Sequence, residues 1–138
     1  MERTFVMLKP SCVERRIMGE VIARFERKGF NIVSMKLIKM SRQQAEELYS
    51  AHRGKHFYDG LVAAVTGKPV LVLVLEGRGA VEVVRRMIGA TDPIKAEPGT
   101  IRGDYGSDIT DNIVHASDSK ESYEREYRLF FSDQELVS

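Results

Sequence analysis

Apolar and polar positions follow two periods along this chain, and the switches between them lay out its elements. The run Thr4–Leu8 (TFVML) is short and wholly apolar, as a buried strand would be, and Lys9-Pro10-Ser11 ends it. Ile17, Val21 and Phe25 then recur every fourth residue, with Met18 and Ile22 alongside and charges on the opposite side. That spacing predicts an amphipathic helix, and Gly29 stands where its C-cap belongs. In FNIVSMKLIKM the period falls to two, with Val33, Met35 and Leu37 on one face and Ser34 and Lys36 on the other, the signature of a strand. Ser41 followed by Gln44 is a capping-box pair opening a short helix through Leu48 and Tyr49, and Phe57–Val65 reads as a second short helix. PVLVLVLEG is apolar on both faces and rich in β-branched residues, so it is expected to be a central strand covered on both sides. Ala80, Val83, Val84, Met87 and Ile88 mark a further helix, closed by Gly89. From Ala90 to Asp111 no period survives, and Gly, Pro, Asp and Thr dominate. So long an irregular stretch inside a small domain is uncommon unless it has a function. A strand-like NIVH follows, then DSKESYEREYRLFF, a helix with Asp118 and Glu121 as its expected capping box.

The order is therefore β-α-β, two short helices, then β-α, a long loop, and β-α. It fits an α+β fold: a ferredoxin-like (split β-α-β) sandwich with a four-stranded, mainly antiparallel sheet covered by helices. At 138 residues the chain can bury one real core but not two, so residues 1–138 are expected to form a single domain. With 21 basic against 20 acidic residues there is no general electrostatic grip on nucleic acid or on an anionic membrane. An anion site would have to be a local cluster. The single cysteine, Cys12, excludes an internal disulfide and fits a reducing compartment. The start lacks a secretory pattern, and the longest apolar run, Pro69–Leu75, is too short to span a bilayer. A cytoplasmic location is expected.

No glycine-rich phosphate loop follows any strand, so a nucleotide would be held by side chains. The candidates gather at element ends. His115 stands where a strand-like segment becomes a turn, rigidly held yet within reach of solvent. Glu126 lies about two helical turns after Ser119, on the side able to look back and orient the imidazole. Lys9, Arg85 and Arg102 each flank a strand end or an irregular segment, where ligands usually gather, and an Arg fork or a Lys point charge suits phosphate. Thr91 and Tyr49 offer hydroxyls and Asn112 an amide. Taken singly, each of these is more often surface polarity than machinery. His52 and His56 are four apart, but Gly54 between them and the lack of a third ligand nearby argue against a metal. Phe57 and Leu61, also four apart, are either a core stripe or a stacking platform for a base.

Taken together these residues resemble the nucleoside diphosphate kinases over nearly the whole chain. NIVHASDS is similar to the family's N-x-x-H-G-S-D-S signature, PGTIRGDYG to its long loop and ERTFVMLKP to its opening strand. FYDGLV, PVLVLVLEG and MIGATDP fall in the expected order. The resemblance implies that His115 is a nucleophile, phosphorylated by a nucleoside triphosphate such as ATP and relieved by a nucleoside diphosphate, with Glu126 and Ser117 supporting the ring. It implies that Lys9 and Asn112 touch the ribose 3′-hydroxyl, Lys9 also serving the transferred phosphate. Tyr49, Arg85, Thr91 and Arg102 would hold the phosphates, and Phe57 would stack on the base with Leu61 beside it. Mg²⁺ would arrive on the nucleotide phosphates rather than in a protein metal site, and base preference would be slight. A homo-oligomer is implied, a hexamer being favoured over a tetramer, with residues 90–111 near subunit contacts. The departures are Ser11 and Cys12 where the family has Asp-Gly, Arg16 where a glycine is common, and Ala116 in place of the glycine after the histidine. If position 116 needed φ > 0, alanine would be strained there. The alternative reading is a non-catalytic member of the same fold that binds nucleotides or a protein partner. A nucleic-acid-binding module is disfavoured by the balanced charge.

Overall fold

The computed structural model describes residues 1–109 and 111–137. Four strands, β1 (Glu2–Leu8), β2 (Asn31–Lys39), β3 (Pro69–Gly77) and β4 (Val114–Ala116), form one sheet in the order β2-β3-β1-β4, every pairing antiparallel. The middle strands β1 and β3 read as unbroken apolar runs because both faces of the sheet are covered. Phe5, Met7, Val70, Val72 and Val74 face a layer built from α3 (Arg42–Leu48), α4 (Tyr58–Val65) and α7 (Lys120–Tyr127) with Phe130 and Phe131. Val6, Leu8, Leu71, Leu73 and Leu75 face α2 (Met18–Lys28) and α5 (Ala80–Ile88) on the other side. Each such side chain contributes about 1.5–3 kcal/mol by leaving water. This is the expected ferredoxin-like sandwich.

Most element ends fall where the sequence placed them. Gly29 closes α2 at φ 113, a left-handed C-cap whose N–H reaches the carbonyls of Phe25 and Glu26. Ser41 and Gln44 cap α3 reciprocally, as a capping box should. Others differ for identifiable reasons. α7 is capped by Ser119, whose Oγ accepts the Ser122 N–H at 3.0 Å, rather than by an Asp118–Glu121 box; Asp118 instead accepts from the Ser122 hydroxyl. α1 (Pro10–Glu14) and α6 (Ile101–Tyr105) have five residues each, too few for a period to show. α6 lies inside the 90–111 segment expected to be irregular, of which Thr110 lies outside the described residues. Thr100 starts α6 by accepting the Gly103 N–H at 3.0 Å and donating to the Glu97 carbonyl at 2.6 Å.

β2 holds the clearest departure. A bulge between Ile32 and Ser34 shifts its register, after which Met35 lies opposite Leu73 and Leu37 opposite Leu71. The bulge divides the face that the alternation predicted: Val33 packs on the α3 and α7 side of the sheet, whereas Met35 and Leu37 pair with residues of the α2 and α5 side, where no helix among the described residues covers them. Met35 is 48% exposed and Leu37 60%.

Among the described residues, only Arg16 (φ 60) and Ile113 (φ 71) are non-glycines in the left-handed region. Ala116 is not one of them, so its exchange for glycine carries no backbone penalty. The strain that absent glycines leave falls on Arg16 instead, between α1 and α2.

Candidate active site

β4 is only three residues long, and its pairing to β1 sets His115 opposite Met7, on the face shared with Phe5, Tyr49 and α7. Ring contacts at 6.1 Å from both Phe5 and Tyr49 confine the imidazole from two sides. Just upstream the chain turns sharply: the Val114 N–H bonds the Asn112 carbonyl at 2.7 Å across Ile113, a γ-turn that demands a positive φ of a β-branched residue. Such a conformation costs about 1–3 kcal/mol and survives because its surroundings dictate it. The turn separates Asn112 from the strand and lets both Asn112 and His115 line one site.

Glu126 occupies the buried stripe of α7 with Tyr123 and Tyr127. Its carboxylate is 3% exposed and fully engaged. Oε1 lies 3.0 Å from His115 Nε2 and accepts from the Ser117 hydroxyl at 2.8 Å, while Oε2 lies 3.4 Å from the Arg125 guanidinium. An ionised carboxylate only accepts, so Nε2 carries the ring proton and Nδ1 the lone pair. Arg125 also donates to the Glu47 carbonyl and the Ser50 hydroxyl, tying α7 to the segment that carries Tyr49.

Three cations surround β4 without a carboxylate to neutralise them fully. Lys9, the N-cap of α1, is 6% exposed and donates to Asn112 Oδ1 at 2.7 Å, and Asn112 Nδ2 donates in turn to the Thr91 carbonyl. Burial, then repulsion from Arg102, push the Lys9 ammonium down to about 8, against a partial rescue by Asp111. Arg102 reaches the carbonyls of Gly89 and Val114 at 3.0 and 2.8 Å; burial and Arg85 lower it to about 10. Arg85 donates to the Ala116 carbonyl at 3.2 Å. Like charges crowded until they resist protonation await an anion. The Tyr49 hydroxyl has no protein partner, and burial followed by the Glu126 charge raises its pKa.

The expected residues thus converge in part. His115, Ser117, Glu126, Lys9, Asn112, Tyr49, Arg85 and Arg102 surround the same short strand. Leu61 joins Lys9 and Tyr49 around a cavity of about 240 Å³. Thr91 contributes its carbonyl to the Asn112 contact rather than its hydroxyl. Phe57, 38% exposed, lies at the start of α4 among His52, Lys55 and His56. No group of three or more potential metal ligands occurs among the described residues. A larger cavity, about 510 Å³ between β1 and α7, is lined by Met1, Arg3, Tyr123 and Tyr127 but not by His115. Sequence reasoning missed Phe5 and Arg125. Phe5 had the appearance of any core residue, whereas Arg125 adjoins Glu126 and a search for partners of that carboxylate would have found it.

A histidine oriented through one nitrogen and ringed by cations is the equipment of an enzyme that moves phosphoryl groups. Comparison with known proteins narrows the class. Residues 2–136 match the family model for nucleoside diphosphate kinase. A nucleoside diphosphate kinase of Hyperthermus butylicus is 61% identical over 136 residues, 99% of this chain and 96% of that protein. One from Methanocaldococcus jannaschii is 56% identical, covering 98% and 96%. The structure of the Halobacterium salinarum nucleoside diphosphate kinase in complex with CDP superimposes with a TM-score of 0.96 at 47% identity, covering 99% of this chain and 91% of that one. This chain belongs to the nucleoside diphosphate kinase family, and its activity is that of a nucleoside-diphosphate kinase.

Proposed function

We propose that His115 is the covalent carrier of the phosphoryl group. The observation that supports this reading is the engagement of Nε2 by Glu126, which leaves Nδ1 as the nucleophile. In the first half-reaction the Nδ1 lone pair attacks the γ-phosphorus of a nucleoside triphosphate such as ATP. The bond to the bridging oxygen breaks, and the nucleoside diphosphate departs with that electron pair. In the second, a β-phosphate oxygen of another nucleoside diphosphate attacks the phosphorus and the P–N bond returns its electrons to Nδ1. Glu126, with Ser117 bonded to the same oxygen, supports the positive charge that the ring acquires. Lys9, Tyr49, Arg85, Thr91 and Arg102 hold the phosphates, and their charge stabilises the transferring group. Lys9 and Asn112 hold the ribose 3′-hydroxyl.

Phe57 stacks on the base with Leu61 beside it. Stacking is worth about 1–3 kcal/mol for any base, so it discriminates little. Mg²⁺ enters as part of the substrate, bound to nucleotide phosphates, since the one carboxylate against His115, Glu126, is taken up by the ring, Ser117 and Arg125. Residues 1–138 act as one domain. The enzyme works in the cytoplasm; no helix among the described residues is long and apolar enough to cross a membrane. It assembles as a homo-oligomer, a hexamer, and the exposed Met35 and Leu37 on the β2 edge support association.

Incubation with Mg²⁺ and ATP labelled at the γ-phosphate, stopped in alkaline denaturant, tests the covalent step. Acid-labile label on the chain, absent from His115→Asn and chased into GTP by unlabelled GDP, is the expected result. Phosphate exchange without any labelled chain would overturn the covalent reading.

A further inference from the structure

α6 has five residues, fewer than a helix needs to stand by itself, yet it carries the buried guanidinium of Arg102. Ile101 seats the segment in the α2 and α5 layer. Its bearing is fixed by a closed ring of three charge-assisted bonds around Arg24 of α2. Arg24 Nη2 pairs with Asp104 Oδ2 at 2.7 Å, and Asp104 Oδ1 accepts the Gly99 N–H at 2.9 Å. The Gly99 carbonyl closes the ring by accepting from Arg24 Nη1 at 3.4 Å. Gly99 and Asp104 stand on either side of Arg102 in the chain, one before α6 and one inside it. The Arg24 guanidinium also lies over the Tyr105 ring, 5.1 Å from its centroid. Arg15, the C-cap of α1, donates to the Tyr105 carbonyl at 2.6 Å. Asp104, Gly99 and Tyr105 are not among the groups assigned to the nucleotide, so this clamp has no part yet in the function.

We propose that Arg24 and Asp104 are positioning residues for the phosphate site, aiming Arg102 by fastening both sides of its short helix to α2. The proposal rests on the reading that Arg102 holds nucleotide phosphate. Arg102 needs such a restraint. Arg85 and Lys9 are close enough for mutual repulsion to oppose protonation, and the same repulsion pushes α6 outward until an anion arrives. The carbonyls of Gly89 and Val114 hold the guanidinium only as neutral acceptors. Arg24 supplies the restraint from an eleven-residue helix packed on the sheet. Its planar fork engages Asp104 and Gly99 at once, which the single ammonium of a lysine does less well. Arg15 ties α1, whose N-cap is Lys9, to the same segment, so the two buried cations keep their spacing. The side chains of the Arg24–Asp104 pair are 25% and 29% exposed, so solvent limits what the pair adds to stability. Its larger effect is on direction, because a small misplacement of a binding group is felt strongly at the substrate.

The experiment measures the Kd of Mg-ADP by titration calorimetry, and kcat, in the wild type, Arg24→Met, Arg24→Lys, Asp104→Ala, Asp104→Asn, the double variant of Arg24→Met with Asp104→Ala, and Arg102→Met. Arg24→Met and Asp104→Ala should each weaken ADP binding about three- to tenfold, with kcat within about twofold of the wild type. Arg24→Lys keeps a cation for Asp104, and Asp104→Asn keeps an acceptor for Gly99, so each should recover part of the loss. Either break opens the same ring, so the double variant should bind ADP about as well as the weaker single one. Variants that unfold at lower temperature yet bind ADP as the wild type does would overturn the proposal and leave the ring a purely structural device. Losses that add in the double variant would also overturn it. Arg102→Met separates the two readings. If it binds ADP like the wild type, the phosphate role of Arg102 fails and this inference with it. If it binds weakly while Arg24→Met does not, only the present inference fails. Should the methionine or alanine variants not fold, Arg24→Lys and Asp104→Asn decide, unchanged affinity in both overturning the proposal.

Discussion

Glu126 has three neighbours of unequal standing, and their exposure ranks their importance. His115 and Ser117 share the buried oxygen, whereas Arg125 meets the other from a guanidinium that is 41% exposed. Glu126→Gln removes a charge-assisted bond to the ring and should lower kcat by about 10- to 100-fold, with KM little moved. Arg125→Met should cost under about fivefold, because solvent screens an exposed ion pair to below about 1 kcal/mol. Rapid-quench measurement of phosphoenzyme formation checks both, and an Arg125 effect as large as that of Glu126 would reverse the ranking. Lys9 gives a pH signature. Its folded value, about 8, lies below its unfolded value near 10.5, so between those limits the unfolded chain binds more protons and this group makes stability rise with pH. The stability of Lys9→Met relative to wild type should therefore fall as pH rises from 8 to 10.5, as followed by denaturant unfolding. Nucleotide phosphate should restore the charge, so binding near pH 8 should take up a proton, visible by calorimetry in buffers of different ionisation enthalpy. Lys9, Asn112 and His115 were legible as residues at element ends. Phe5 and Arg125 were not, because nothing local distinguishes a core phenylalanine that touches the nucleophile from one that does not.

At the scale of elements, α6 shows how a five-residue helix can matter more than its length. It carries Arg102 to the carbonyls of Gly89 and Val114, and it stands on two contacts with the loop before it. One is the Thr100 cap; the other is the bare backbone of Gly103, where a Cβ would come within 2.0 Å of the Glu97 carbonyl oxygen. Thr100→Val should cost about 1 kcal/mol as a lost cap. Gly103→Ala should cost more, since backbone must move, and both should raise KM for ADP as Arg102 shifts. Thermal unfolding with steady-state kinetics checks the order; a harmless Gly103→Ala would show that the loop yields. Sequence patterns revealed α2, α3, α4, α5 and α7 because each repeats its apolar face or carries a cap. They concealed α1 and α6, which are held by a proline start and a threonine cap rather than by an apolar stripe.

At the scale of the whole molecule, the β2 edge is the surface left unfinished. Met35 and Leu37 point where no helix among the described residues covers them, beside an unpaired strand edge. If the chain forms the proposed homo-oligomer through this edge, Leu37→Lys should reduce it to smaller species in sedimentation velocity while each chain keeps its fold; an unchanged sedimentation coefficient would place the contact elsewhere. The sequence by itself determined the layers: continuous apolar runs for β1 and β3, which are covered on both sides, and amphipathic stripes for the helices that cover them. Those are statements about how much of each element meets water, and local pattern records that directly. It also determined the chemistry on offer, through His115, Glu126 and the cations in a recognisable order. Only the tertiary structure decided which nitrogen of His115 is bound, that Lys9 is buried deeply enough to titrate near 8, that Ala116 is unstrained while Arg16 is not, and that Ser11, Tyr49 and Asp111 line one cavity. Each of these depends on distances between residues far apart in the chain, and on water excluded by neighbours that no local pattern names.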